Sequence, residues 1–521
     1  MKLNIQALEN REAWLSKGYA LPEYDVKAVR ARTKASPQWI HFGAGNIFRA
    51  FLGSVAQRLL NAGKMDTGIT VFEGFDPEII EKAYKPFDDL SVGVTLISSG
   101  SVKKEVLASI CESLTAADDA RAKEIFESPS LKMASFTITE KGYSLRFAEK
   151  DAQGKPEDAS GLIGYLTKLL LKRYEAGALP IALVSMDNCS HNGEKLENAV
   201  RFVAGSWLKN GHVGQDFIDY IDKKVSFPWT MIDKITPRPD ENVMKLLAED
   251  GFEDGGLIIT GKNTYTSAFV NAEEKEYLVI EDDFPAGRLP LDEAGVYYTT
   301  RETVEKVERM KVTTCLNPLH TCLAVYGCLL GFKTIWQEMK DDDLKAMVER
   351  IGYVEGLPVV TDPGIMQPKV FLGEVLENRL PNCFLPDTPQ RIATDTSQKL
   401  SIRFGETIKA YIERGLDLGV LQGIRLVEAG WLRYLMGVDD EGKAFEPSPD
   451  PRMDEMNKRL AGVSFMHNEK AREVLMPILS DESIFGVDLA KAGLADDIIN
   501  AFVKMNSGAG EVRKQIHALR G

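Results

Sequence analysis

Residues 39–72 read WIHFGAGNIFRAFLGSVAQRLLNAGKMDTGITVF, and this stretch decides the fold. Trp39–Phe42 is a short bulky run of strand type, broken by Gly43-Ala44-Gly45. Phe48, Phe51, Leu52, Val55, Leu59 and Leu60 then recur at helical spacing, and Gly63 stops them. Residues 69–72 form a second strand candidate. Strand, glycine turn, helix and strand make a βαβ unit, which predicts a parallel sheet. Further apolar runs at 135–138 and 180–186 end abruptly in polar residues, Thr139-Glu140 after the first and Asp187-Asn188 after the second. The carboxyl ends of parallel strands face the ligand crevice, so these residues fall on the functional side.

The turn Gly43-Ala44-Gly45-Asn46-Ile47-Phe48 matches the first half of a dinucleotide fingerprint. Gly43 allows the tight turn, and Gly45 lets the backbone approach a pyrophosphate seated on the helix N-terminus. Phe48 replaces the third glycine, and Arg49 places a cation in the first helical turn, where it suits a phosphate partner. Glu73 and Asp76, near the end of the second strand, are the candidate ribose ligands. Either acid favours NAD over NADP, which is not excluded. The alternative is an ordinary glycine turn with a surface arginine.

A chain of 521 residues exceeds one ordinary core, and 44% hydrophobic with 27% charged residues is the composition of a soluble globular enzyme. The net charge of −14 repels nucleic acid and anionic membrane surfaces. The six cysteines include no Cys-x-x-Cys pair, there is no signal-peptide pattern, and no apolar run reaches bilayer length. A cytoplasmic protein is expected. Beyond residue 300 strand patterns give way to helical ones, which divides the chain into 1–295, a nucleotide-binding α/β domain, and 296–521, a mostly α-helical substrate and catalytic domain. The segment 358–389, rich in proline and glycine, is expected to be loop.

The chemistry centres on residues 311–320, KVTTCLNPLH. Asn317 reads as a helix cap with Pro318 at the first helical position, and the apolar run at 321–332 reads as a buried helix. Lys311, Asn317 and His320 thus gather at one buried turn. Carbinol oxidation needs a base for the hydroxyl proton and donors for the developing alkoxide, roles that a lysine and asparagine amides can fill. A second basic cluster holds Arg391 and Lys399, eight residues apart and on one face if helical, with Asp395 midway. Six histidines without an i,i+4 pair disfavour a metal site.

Segments 41–51, 137–143, 185–193, 233–237, 279–288, 317–321, 391–399 and 431–437, in this order, resemble the polyol-specific long-chain dehydrogenases. The resemblance implies a Rossmann-type N-terminal domain, a helical C-terminal domain, a site between them and metal-independent hydride transfer with NAD(P). It implies a lysine as general acid/base and an oxyanion hole of two asparagines matching Asn188 and Asn317, with His320, Arg391 and Lys399 orienting the substrate. The small-molecule substrate is a sugar acid or sugar alcohol, with reduction of a hexuronate ketose such as fructuronate favoured over mannitol or tagaturonate chemistry. The family lysine stands five residues before the second asparagine. Lys311 stands six before Asn317, and Val312 takes the usual place. If the run is a strand, one residue reverses a side chain and a bulge restores it. Lys311 is retained as the base, with Lys399 as the fallback. Two other readings are a hydroxyacid dehydrogenase and a nucleotide-sensing protein without turnover. Nothing marks an oligomer interface, and a monomer is plausible.

Overall fold

The computed structural model describes Met1–Arg520. It divides into two compact units, Met1–Ile97 with Ser101–Glu305 and Ser98–Gly100 with Lys306–Gly521, so the division falls inside the helix Arg301–Met310.

In the first unit six strands form one parallel sheet. They are β1 (Trp39–Phe42), β2 (Ile69–Glu73), β3 (Ile110–Thr115), β4 (Met133–Phe136), β5 (Ile181–Ser185) and β6 (Val225–Ser226). The spatial order is β3-β2-β1-β4-β5-β6, the doubly wound order of a dinucleotide-binding fold, with its reversal point between β1 and β4. Ile40 lies opposite both Thr70 and Ala134. Parallel sheets are covered on both faces, and the strand residues divide accordingly. Ile40, Phe42, Phe136 and Leu183 face one layer. Trp39, Val71, Met133 and Val184 face the other. The first layer takes helices α2 (Leu162–Glu175) and α3 (Asn192–Lys209), and the second takes α1 (Ser54–Asn61). The chain enters α1 through a π-helical turn, Phe48–Gly53, where regular helical periodicity was expected.

The second unit is helical: among the described residues no strand follows Thr299, apart from two isolated bridges. The helix α4 (Arg301–Met310) runs into a π-helical turn, Lys311–Cys315, and then into α5 (Asn317–Leu330). The run around Lys311 is therefore helical, and the strand alternative does not apply. The Leu316 N–H donates to the Lys311 carbonyl at 3.1 Å, five residues apart, which is the signature of one extra residue absorbed in a helix. Leu316, at φ −133°, stands where the chain enters α5, so Asn317 is the first helical residue rather than the cap and Pro318 the second. Gly331, at φ 76°, closes the helix. The α5 helix is buried almost all round and packs on α6 (Gln422–Tyr434). The Tyr326 hydroxyl donates to Leu426 O at 2.6 Å, and a Cβ on Gly430 would lie 2.7 Å from the Tyr326 ring.

Two further expectations change. The segment 358–389 is not all loop, because it contains the helix Pro368–Glu374 and a π-helical turn, Val375–Arg379. Arg391 and Lys399 do not share a helix: Pro389–Ala393 ends before Asp395, which sits in the left-handed region at φ 56°.

Candidate active site

In the first unit the glycine turn is held from three sides. Gly43 adopts φ +109°, its N–H donates to Phe72 O at 2.9 Å, and a Cβ there would lie 2.3 Å from Thr137 O. A side chain is excluded both by the backbone conformation and by space. Glu73, at the carboxyl end of β2, accepts from Ala44 N at 2.7 Å, Phe75 N at 2.7 Å and Asp76 N at 2.9 Å. One carboxylate thereby ties the end of β2 to the turn after β1. A Cβ on Gly45 would meet nothing within 4 Å, so the turn faces open space at the start of a helix. These features fit a dinucleotide, with its pyrophosphate against Gly45 and the helix N-terminus. A cavity of about 170 Å³ beside the ends of β2 and β3, with Gly74, Ala116, Leu162 and Tyr165 in its wall, adds an apolar slot on the same edge.

Three expected cofactor residues point elsewhere. Phe48 is buried and stacks on His41, with ring centroids 4.1 Å apart. Arg49 is fully buried, and its guanidinium donates to Ser267 O at 2.7 Å, Thr266 Oγ1 at 2.6 Å and Asn46 Oδ1 at 2.9 Å. That fixes Asn46 from behind and leaves the guanidinium occupied inside the unit. Burial holds its pKa below the usual arginine value. Asp76 is buried and accepts from the Thr260 and Thr264 hydroxyls at 2.6 and 2.7 Å. Of the two acids considered for ribose, Glu73 is the one attached to the turn itself.

The loops after β4 and β5 are joined by Asp187. Its carboxylate accepts from Ile138 N at 2.9 Å, Thr139 N at 2.8 Å and the Tyr143 hydroxyl at 2.5 Å. Burial raises its pKa and these donors oppose the rise. Asn192 Nδ2 donates to Asp187 O at 2.9 Å and to Thr230 Oγ1 at 2.8 Å, while its Oδ1 accepts from Thr230 N at 3.0 Å. A Cβ on Gly193 would lie 2.6 Å from Phe227 O. Asn188 stands exposed on the loop that these residues anchor. Thr139 takes φ +63°, and Glu140 is exposed and pairs with Lys195 at 2.6 Å.

In the second unit Lys311 is 3% exposed and opens the π-helical turn before α5. Asn317 and His320 lie in the first turn of α5. His320 is held down to about 4, first by burial and then by Arg379, Arg403 and Arg391, with Asp387 opposing. Arg391 is largely exposed and pairs with Asp387, not with Asp395. Lys399 Nζ donates to Ile392 O at 3.0 Å and to Thr394 O. Arg403 Nη1 donates to Thr321 Oγ1 and, at 3.4 Å, to Asn317 O. Burial and then Arg403 bring Lys399 down to about 8. The structure thus gathers Asn317, His320, Arg391 and Lys399 and adds Arg379, Asp387 and Arg403. The added residues carried one signal in the sequence: Arg403 stands four after Lys399, and Asp387 four before Arg391. Among the described residues no group of three or more His, Cys, Asp or Glu is placed to hold a metal, and no helix is long and apolar enough to cross a membrane.

Residues 37–293 match the family model described as the mannitol dehydrogenase Rossmann domain, and 303–506 match the mannitol dehydrogenase C-terminal domain. The chain is 50% identical to the D-mannonate oxidoreductase of Thermotoga maritima, with 100% of this chain and 99% of that one covered. A substrate-free D-sorbitol dehydrogenase superposes with a TM-score of 0.80 at 24% identity, covering 96% of this chain and 97% of that chain. The Pseudomonas fluorescens mannitol 2-dehydrogenase, solved as a ternary complex with NAD and D-mannitol, gives 0.70 at 24% identity, covering 100% and 99%.

Proposed function

We propose, for a chain that belongs to the mannitol dehydrogenase family, that it is an NAD(P)-dependent oxidoreductase of the fructuronate reductase (D-mannonate oxidoreductase) type, interconverting a sugar-acid secondary alcohol and its ketone. The observation that carries this reading is the 50% identity, over the full length of both chains, to a protein named for mannonate. The surplus of cations around His320 supports it, because a sugar acid brings the negative charge that such a cluster lacks.

Residues 1–295 are taken as the nucleotide-binding domain and 296–521 as the substrate and catalytic domain. Gly43, Gly45 and Asn46 shape the cofactor turn, and Glu73 is the candidate for the ribose hydroxyls. Thr139 and Glu140 flank it on the loop after β4. The bound nicotinamide nucleotide supplies or accepts the hydride. In the reducing direction Asn188 and Asn317 donate amide N–H groups to the carbonyl oxygen as negative charge builds there. Lys311 Nζ gives that oxygen its proton, and in oxidation takes it back. His320, Arg391 and Lys399 orient the sugar chain. The lysine's place supports this role, since it opens the π-helical turn that runs directly into the helix carrying Asn317 and His320. The reading assigns no step to a metal.

The test is a substrate panel of mannonate, altronate, mannitol and arabinitol, each with NAD and with NADP, followed by reduced-nicotinamide absorbance. Mannonate with NAD is expected to give the highest kcat/KM. Faster turnover of mannitol would sink the sugar-acid reading, and nucleotide binding without turnover of any member would favour the sensing protein.

A pH dependence follows from Lys399. Its folded pKa is lowered to about 8, by burial and Arg403 first, with Asp395 and Asp450 opposing and Arg391 adding to the fall. The cation is therefore complete below that pH and lost above it. KM for mannonate is expected to be flat below about pH 8 and to climb toward tenfold per unit above it, with a weaker rise for mannitol. A KM for mannonate that stays level to the alkaline limit of stability would remove Lys399 from substrate binding.

A further inference from the structure

We propose that Arg403, together with Lys399, is the seat of the substrate's carboxylate and the residue that selects a sugar acid over a neutral polyol. The inference rests on the reading of the reaction given above and names the residue behind its substrate class.

Arg403 lies in a π-helical turn, Ser401–Gly405, one turn beyond Lys399, and its backbone N–H donates to Lys399 O at 2.9 Å. Among the described residues no carboxylate stands within ion-pair distance of either cation, while neighbouring Arg391 is neutralised by Asp387. Asp395 and Asp450 act on Lys399 from beyond ion-pair distance, so two half-buried like charges stand together without a paired anion, which is costly unless a ligand completes them.

The use of the guanidinium makes the same point. The buried arginines Arg49, Arg173 and Arg433, which have no carboxylate partner, each spend both terminal nitrogens on carbonyl or hydroxyl oxygens. Arg173 makes five hydrogen bonds to main-chain oxygens. Arg49 makes four through its two terminal nitrogens. Arg403 spends only Nη1, on Thr321 Oγ1 and distantly on Asn317 O, so Nε and Nη2 remain for a two-pronged bond to a carboxylate. The bonds that Nη1 does make tie the guanidinium to the first turns of α5, where Asn317 and His320 stand. Burial depresses both cations, Lys399 to about 8 and Arg403 to about 10, as expected for charges awaiting a counter-charge. Lys399 keeps one N–H beyond those given to Ile392 and Thr394.

The test compares mannonate with its neutral amide, D-mannonamide, on the wild-type protein, Arg403→Gln and Arg403→Lys. Wild type is expected to prefer the carboxylate by roughly 10- to 100-fold in kcat/KM, the range of one charge-assisted pair. Arg403→Gln should bring that ratio close to one, through a rise in KM for the carboxylate that exceeds any change on the amide, with reduced-nucleotide binding within a few-fold. Arg403→Lys, which keeps the charge and loses the fork, should fall between. A ratio unchanged in Arg403→Gln, or an equal loss on both substrates, overturns the inference while leaving the reaction intact. Wild type that oxidises mannitol and not mannonate overturns the reading of the reaction and the inference with it. Should Arg403→Gln not fold, the ratio on Arg403→Lys decides, and a wild-type ratio there is the overturning result.

Discussion

Lys311→Met is expected to lower kcat for mannonate oxidation by roughly 1000-fold, in the range that removal of a positioned general acid/base produces. That corresponds to about 4 kcal/mol of lost transition-state stabilisation. Methionine keeps the length and the apolar stem of a side chain that is 3% exposed, and the melting temperature, measured alongside, separates any loss of stability from the loss of chemistry. Nucleotide affinity, read by quenching or enhancement of reduced-nicotinamide fluorescence, should stay within a few-fold. The backbone supports the assignment, because Lys311 O accepts the N–H of Leu316, the residue directly before Asn317. The lysine and the first turn of α5 are therefore two ends of one hydrogen-bonded ring. Near-normal turnover in Lys311→Met, with a collapse in Lys399→Met instead, would move the proton transfer to Lys399, which burial and Arg403 already hold at about 8.

Gly43→Ala is expected to unfold or severely loosen the first unit, at a cost of roughly 3–5 kcal/mol, where left-handed strain and overpacking each contribute about 1–3. The added Cβ would sit 2.3 Å from the Thr137 carbonyl at a backbone φ of +109°, and Thr137 is itself held to the end of β1 by its N–H, which donates to Phe42 O at 3.0 Å. A loss of that size consumes much of the stability of an ordinary domain. The companion substitution Gly45→Ala separates folding from binding. Its Cβ meets nothing within 4 Å, so the melting temperature should stay near wild type. The methyl group enters the space assigned to the pyrophosphate, so nucleotide affinity should fall by roughly 10- to 100-fold. If Gly45→Ala binds nucleotide as the wild type does, the pyrophosphate does not lie on this turn.

Four of the six strands were legible because they are short apolar runs that end in glycine or polar residues; β3, whose run is interrupted by Glu112 and Ser113, and the two-residue β6 carry no such pattern. The turn after β1 was legible for the same reason: two glycines between a strand and a helix have few uses. The roles of individual side chains around it were not. Phe48, Arg49 and Asp76 stand within one or two turns of the nucleotide edge in sequence, yet their partners are His41, Thr266, Ser267, Thr260 and Thr264. Four of those partners lie more than 180 residues away in the chain, and no local pattern announces them. The β-branched run Val312, Thr313 and Thr314 leaves a strand open as a reading around Lys311, and local propensity is overruled when a helix continues on both sides. The π-helical turn also gives the one-residue displacement a physical form, an insertion absorbed in a helix instead of a side chain turned to the wrong face of a strand. Arg403 went unnoticed because a lone arginine four residues after a lysine is common on helix surfaces. Only the lack of a carboxylate beside it, a fact of tertiary structure, distinguishes it.

Asp187 has a consequence for how such a chain can change over time. The same carboxylate receives the main-chain N–H groups of Ile138 and Thr139 and the hydroxyl of Tyr143, and the next residue in the chain is Asn188. Segments 137–143 and 185–193 are thus two lines of text with one shared letter. A substitution at Asp187 strands three donors of 137–143, and a change in the path of either loop asks the other to follow. Among descendants of this sequence, alterations in these two segments should be inherited as matched pairs.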